Sequence, residues 1–349
     1  MPLSLNGDRV PPRCAEQLWP QSLASVERFG TQGSVQIALI NNMPDAALED
    51  TELQFFELLE AACGDIPVNL TLYSLPGVPR SERARQRLSQ FYHDIDDLFE
   101  RRFDGVIMTG TEPRQPDLRN EPYWAAVAEV LDWAERSTVS MVLSCLAAHA
   151  SVLHSDGIVR RTLSDKRFGV FECRRVGDHA LTQGTPELMR FPHSRWNEVP
   201  EEALVSCGYQ ILTKSADAGI DLFVKKKAKS LFVYFQGHPE YGARTLWKEY
   251  RRDVRRFLVR ERETYPSAPH GYFDAASAGV LADFRERALV DRREALLADF
   301  PDAHVTGALE KTWHLSGTCV YSNWLRWVSS KKAPRPRFAI SGAVCAQAS

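Results

Sequence analysis

The sequence predicts an α/β fold, a doubly wound and mostly parallel sheet flanked by helices. Two observations carry that reading. Short apolar runs of four to six residues alternate with longer stretches whose apolar residues recur at helical spacing. Most of the runs are also apolar on successive residues, as expected of strands covered on both faces. Val35–Ile40 is the first such strand, ending at the turn Asn41-Asn42-Met43-Pro44. Leu53, Phe56, Leu59 and Cys63 then repeat as one helical face, and Gly64 stops the helix. Val68, Leu70 and Leu72 alternate with polar residues and mark the next strand. Arg80–Glu100 reads as polar helix, and Val106–Thr109 as a buried strand after Phe103-Asp104-Gly105. Trp124, Val127, Leu131 and Ala134 share a helical face; Val139–Ser144 is another strand, with helix from Cys145 onward.

Beyond this half, Gly169–Val176, Tyr209–Thr213, Leu222–Val224 and Leu231–Phe235 read as strands. Lys225–Lys229 is expected to be a solvated hairpin turn. Ala243–Arg262 is a basic helix with Leu246, Tyr250 and Phe257 on one side, and Val280–Leu297 a further helix. Four regions follow: an irregular leader at 1–34, a core at 35–262, a helical and strand extension at 263–330 that packs on the core, and a tail at 331–349.

The whole chain has 349 residues, with 43 basic and 45 acidic side chains and a net charge of −2. That balance gives no footprint for nucleic acid. The longest nearly uncharged apolar run, Met141–Leu153, is too short to span a bilayer, which takes ~20 residues. No apolar signal core occurs near the N-terminus, so a cytoplasmic location is expected. The seven cysteines lack C-x-x-C spacing, which argues against a disulfide framework or a zinc site.

Ligands of such sheets bind at the carboxyl ends of strands. This places the loops after Ile40, after Thr109 and at Cys145 at the expected site. A cysteine where a strand turns into a helix stands above the sheet, next to a helix end that favours anions and can hold an oxyanion. An inert core cysteine would look the same in isolation. Gly237-His238-Pro239-Glu240 follows the strand Leu231–Phe235; Pro239 keeps the segment extended, so Glu240 and His238 point to one side. Glu240 can then orient His238, and His238 can activate a thiol. An unrelated loop histidine and glutamate is the alternative. Pro192-His193-Ser194-Arg195 reads as a polar binding loop, and His149, one turn after Cys145, either touches the site or fills the helix surface.

These residues, in this order, resemble the homoserine O-succinyltransferase/O-acetyltransferase family, which shares the class I glutamine amidotransferase-like fold. The resemblance runs from about Val35 to Val328. It rests on Ile40–Pro44 with Thr51-Glu52, Phe103-Asp104-Gly105 with Thr109-Gly110, Tyr123-Trp124, Cys145, Asp165-Lys166, Gly169-Val170, Pro192–Arg195, Gly237–Tyr241, Arg252-Asp253 and Asn323-Trp324-Leu325. It implies Cys145 as the acyl-accepting nucleophile, His238 as base and Glu240 as its orienter. Lys166, Ser194 and Arg252 fall on substrate-binding positions. It also implies acyl-CoA and L-homoserine as substrates, no metal or bound cofactor, and a ping-pong reaction in methionine biosynthesis. A homodimer is the default assembly. The sequence departs from the family at three places. Arg114 stands at the acyl-selecting position, where it could pair with the distal carboxylate of a succinyl donor. His149 replaces a glutamine, and the Val280–Leu297 region looks added. Acetyl transfer or a serine acceptor are the nearer alternatives. A glutamine amidotransferase or a non-catalytic binding protein are the more distant ones, and the elbow Leu143–Ala147 lacks the glycines usual for the former.

Overall fold

The computed structural model describes residues 3–5, 9–17 and 33–333. Twelve strands lie among them: β1 (Leu3–Leu5), β2 (Val35–Ile40), β3 (Val68–Tyr73), β4 (Gly105–Met108), β5 (Ser140–Ser144), β6 (Arg161–Arg175), β7 (Leu188–Glu198), β8 (Gln210–Ile211), β9 (Thr213–Ser215), β10 (Gly219–Ile220), β11 (Leu222–Lys227) and β12 (Ser230–Phe235). The main sheet has the order β1-β3-β2-β4-β5-β12-β11-β8. It is parallel from β1 through β12, and β11 and β8 add antiparallel at one edge. Every residue of β2, β3, β4, β5 and β12 is buried, which is why these strands are predominantly apolar on both faces. A second, antiparallel sheet has the order β10-β9-β6-β7. Among the described residues no helix is long and apolar enough to cross a membrane.

Helices fill both faces. Asp45–Cys63 follows the Pro44 turn and ends at Gly64, whose φ of 53° favours glycine. Trp124–Ser137 joins β4 to β5, and Leu146–Asp156 leaves β5 and ends at the left-handed Gly157. The final helix, His314–Lys331, takes in Asn323-Trp324-Leu325 and packs beneath the sheet. Its Trp324 is 1% exposed and donates Nε1–H to Ser140 Oγ at 2.9 Å. The last helix of the 263–330 segment therefore shares the core of the main sheet, while Leu281, Phe284, Phe300 and Trp313 pack in a separate cluster with Leu246, Tyr250 and Phe257.

Four expectations need correction. The stretch read as an irregular leader contains β1, which pairs parallel with β3, and a helix, Pro12–Gln17, with proline at its first position. Three residues are too few to register as a strand pattern, and β1 exists because it covers the edge of β3. Arg80–Glu100 is two helices, Glu82–Phe91 and Ile95–Glu100. Between them the His93 N–H bonds Leu72 O, and Tyr92 turns inward to donate to Glu52 Oε1 at 2.8 Å. Lys225–Lys227 belongs to β11, and the turn is confined to Ala228-Lys229. Lys227 is buried: its ammonium lies 4.7 Å from the Phe232 ring centroid and reaches Ser155, and burial lowers its pKa to about 8. Finally, Pro192–Arg195 is no loop; it lies within β7. The tail assignment falls mostly outside the described residues.

Gly105 shows how tightly the last helix is seated. A Cβ there would lie 2.8 Å from Ile37 Cδ1 and 3.0 Å from the Trp324 ring. Gly105→Ala should therefore cost about 1–3 kcal/mol by overpacking, read as a lower urea midpoint with unchanged slope.

Candidate active site

The strand register builds the site. β5 and β12 run parallel with Ser144 opposite Phe235, so the residues after each strand emerge side by side. Cys145 follows one strand, and Gln236-Gly237-His238 follow the other. The Cys145 N–H bonds Phe235 O at 2.8 Å, which locks the two exits together. Cys145 has φ 51° and ψ −110°, positive-φ backbone at a non-glycine residue, and the helix Leu146–Asp156 starts immediately after it. That strained turn lifts its thiol off the sheet at a helix N-terminus, whose first N–H groups lack intrahelical acceptors. Gly110 packs against the same turn: a Cβ there would sit 2.5 Å from Leu146 Cβ and 3.0 Å from Leu146 N. The Thr109-Gly110 segment is held in turn by Asn42, whose N–H bonds Thr109 Oγ1 at 2.8 Å and whose side-chain amide donates to Thr109 O at 3.2 Å.

His238 is 5% and Glu240 3% exposed, and His238 Nδ1 meets Glu240 Oε1 at 2.8 Å. With a carboxylate on Nδ1, that nitrogen carries a proton and Nε2 is the one available to the Cys145 thiol, whose side chain interacts with the ring. Burial alone would lower the His238 pKa. The Glu240 carboxylate, together with the interaction with Cys145, outweighs it and holds the imidazole well above its ordinary value. Ser144 Oγ donates to Glu240 Oε1 at 3.2 Å, and the Tyr241 ring stacks on His238 with centroids 4.2 Å apart. Cys145, His238 and Glu240 thus come together in one cluster. Its chemistry is that of an activated thiol beside a positioned base.

Lys166, Ser194 and Arg252 arrive from β6, β7 and the helix Thr245–Leu258. The first two converge on Glu249, a residue the sequence reading missed. Lys166 Nζ lies 3.3 Å from Glu249 Oε2, Ser194 Oγ donates to the same oxygen at 2.5 Å, and Tyr241 OH donates to Oε1 at 3.1 Å. Because Tyr241 also stacks on His238, Glu249 ties this polar pocket to the base. A signal existed: Glu249 precedes Arg252 by three positions, on the same helical face. Arg252 donates Nε–H to Asp253 Oδ1 at 3.0 Å with its side chain half exposed, leaving part of the guanidinium for a ligand. Arg114 is exposed, in a loop whose Arg114 and Gln115 N–H groups bond the buried carboxylate of Glu121.

His149 is buried, not on the helix surface. Its Nε2–H bonds Gln236 Oε1 at 3.2 Å, and burial lowers its pKa to about 3, so it is neutral. Gln236 Oε1 also accepts from Val199 N, which fixes the segment leading into His238. On the other side, the His238 N–H bonds Pro192 O and the Gly237 N–H bonds Asp221 Oδ1, both at 2.8 Å. Asp221 faces His193, which accepts at Nδ1 from Arg195 Nε at 3.3 Å. Burial pushes the Asp221 carboxyl up to about 6. Cys173, His193 and Asp221 bring ligand-type atoms within 4.8 Å of one another, but the Arg195 guanidinium beside them opposes a cation there.

The model of the homoserine O-succinyltransferase family matches residues 30–335. The chain belongs to that family. It is 41% identical to a homoserine O-succinyltransferase of Rhodopseudomonas palustris over 94% of this chain and 100% of that one. It is 46% identical to one from Bradyrhizobium japonicum over 76% of this chain and 82% of that one. Among solved structures, a glutamine amidotransferase of Thermotoga maritima aligns with a TM-score of 0.47 and 12% identity, over 84% of this chain and 98% of that one.

The coupling of Glu240 to His238 has a measurable sign. Glu240→Gln removes the charge that raises the imidazole pKa. The limb of the kcat/KM–pH profile that reports His238 deprotonation should therefore move to lower pH, and the plateau should fall by about 10²-fold. An unmoved limb would show that Glu240 does not act on the base.

Proposed function

We propose that this chain transfers a succinyl group from succinyl-CoA to the hydroxyl of L-homoserine, a step of methionine biosynthesis, through a thioester on Cys145. The observation that carries the reading is the buried His238–Glu240 pair joined in strand register to the strained Cys145 turn. Its family relatives are named homoserine O-succinyltransferases.

The half-reactions close in protons and electron pairs. The Cys145 thiol gives its proton to His238 Nε2, and the thiolate attacks the thioester carbonyl. The carbonyl oxygen becomes an oxyanion facing the N–H groups at Leu146 and the Thr109-Gly110 segment. The C–S bond to CoA breaks, and His238 returns its proton to the departing CoA sulfur. In the second half His238 takes the hydroxyl proton of homoserine. The alkoxide oxygen attacks the acyl-enzyme, and the C–S bond to Cys145 breaks. His238 then reprotonates the sulfur. Arg252 is suited to the carboxylate of homoserine through a paired N–H fork, and the Glu249–Lys166–Ser194 cluster to its polar backbone end. Cys145 and His238 supply both nucleophile and base, so neither half-reaction calls for a metal or a bound cofactor.

Purified protein incubated with succinyl-CoA and no acceptor should gain one succinyl group by intact mass. Cys145→Ala should gain none. Homoserine should discharge the adduct faster than serine. No adduct in folded wild type, or an equal adduct in Cys145→Ala, would overturn the proposal.

A further inference from the structure

His238 has two tasks in the proposed reaction. It first takes a proton from the Cys145 thiol and later one from the acceptor hydroxyl. The first task needs only the thiol. The second needs an acceptor seated against the base. The polar cluster suited to that acceptor, Glu249 with Lys166 and Ser194, is joined to the imidazole through Tyr241.

Tyr241 is buried, and its backbone is pinned on both sides. Its N–H bonds His238 O at 3.1 Å, and its carbonyl accepts from Trp313 Nε1–H at 2.8 Å. Two further contacts come from the side chain. The ring lies on the His238 imidazole, with centroids 4.2 Å apart and planes 14° from parallel. The hydroxyl donates to Glu249 Oε1 at 3.1 Å. Burial and the nearby Glu249 carboxylate hold that hydroxyl well above the ordinary phenol pKa, so it remains a donor. Anchored in this way, the ring is a fixed plate for the imidazole, whose Nδ1 is held by Glu240.

Glu249 divides its two oxygens. Oε2 takes Ser194 and Lys166, and Oε1 takes Tyr241. A carboxylate has about four lone-pair sites, so these three donors leave room for one more, on the oxygen that already holds Tyr241. An acceptor donor taking that place would be linked to the base by the tyrosine side chain.

We infer that Tyr241 is a positioning residue that couples the acceptor pocket to the base. Its ring stacked on His238 sets the imidazole plane for both half-reactions, and its hydroxyl bond to Glu249 sets the acceptor against that plane for the second. The inference rests on the two-step transfer reading above and adds what ties its second step to the acceptor. The phenol exchanges no proton in this role. Because the two tasks fall on different parts of one side chain, substitution separates them. Removing the hydroxyl keeps the plate and takes one donor from a largely buried carboxylate. Removing the ring takes away the plate, whose π face favours the cationic imidazolium.

The test follows the half-reactions separately in single turnovers: CoA release from succinyl-CoA without acceptor, then discharge of the isolated acyl-enzyme by L-homoserine. Tyr241→Phe should slow discharge about 10- to 100-fold more than it slows CoA release. Glu249→Ala should also slow discharge, and adding Tyr241→Phe to it should slow discharge no further. Tyr241→Leu should slow CoA release as well and move the limb of its pH profile that reports His238 to lower pH. Tyr241→Phe keeps the ring packing and carries the test if Tyr241→Leu does not fold. Equal slowing of both half-reactions in Tyr241→Phe, discharge at the wild-type rate, or losses that multiply in the double variant would overturn the inference and leave succinyl transfer standing. Failure of the wild type to release CoA and retain a succinyl group would instead overturn the transfer reading and this inference with it.

Discussion

The parallel pairing of β5 with β12 is the constraint on which the site depends. These strands are far apart in sequence, and their registration sets Ser144 against Phe235. Everything downstream inherits that alignment. The Cys145 N–H closes onto Phe235 O, and His238 emerges three residues past the same strand end. Slipping one strand by a single residue would turn its alternate side chains to the opposite face and separate thiol from imidazole. Full burial of both strands makes such a slip costly, so the apolar core between the helical layers also serves as the alignment device for the chemistry.

Around this join the fold holds the His238 segment from every side. Gln236 is fixed by His149 and Val199, Gly237 by Asp221, the His238 backbone by Pro192, and the ring by Glu240 and Tyr241. Pro192 belongs to β7, and Asp221 stands immediately before β11, so both come from outside the first half of the chain. The small antiparallel sheet therefore has two roles: it presents Lys166 and Ser194, and it helps clamp the base. The strain at Cys145 is sustained by this surrounding density, in keeping with strained residues persisting where neighbours over-determine them.

The sequence made much of this legible, for identifiable reasons. Strands buried on both faces announce themselves by nearly unbroken apolar runs, and β2, β4, β5 and β12 could be read that way. Cys145, His238 and Glu240 could be read because strand ends, and the proline at position 239, fix local geometry within a few residues. Features set by tertiary pairing were silent. β1 carries only three residues. Pro192–Arg195 looks like a loop because its polar side chains face a buried network that exists only once β11 and β12 are in place. Glu249 gains meaning from Lys166 and Ser194, which lie at least 55 positions away in sequence.

The central claim, that strand register makes Cys145 and His238 act as one unit, is tested most directly by a double-mutant cycle on kcat/KM. If the pair is a unit, Cys145→Ser with His238→Asn together will be about as slow as the worse single variant. If the losses of the two single variants multiply in the double variant, the residues act independently and the account is contradicted.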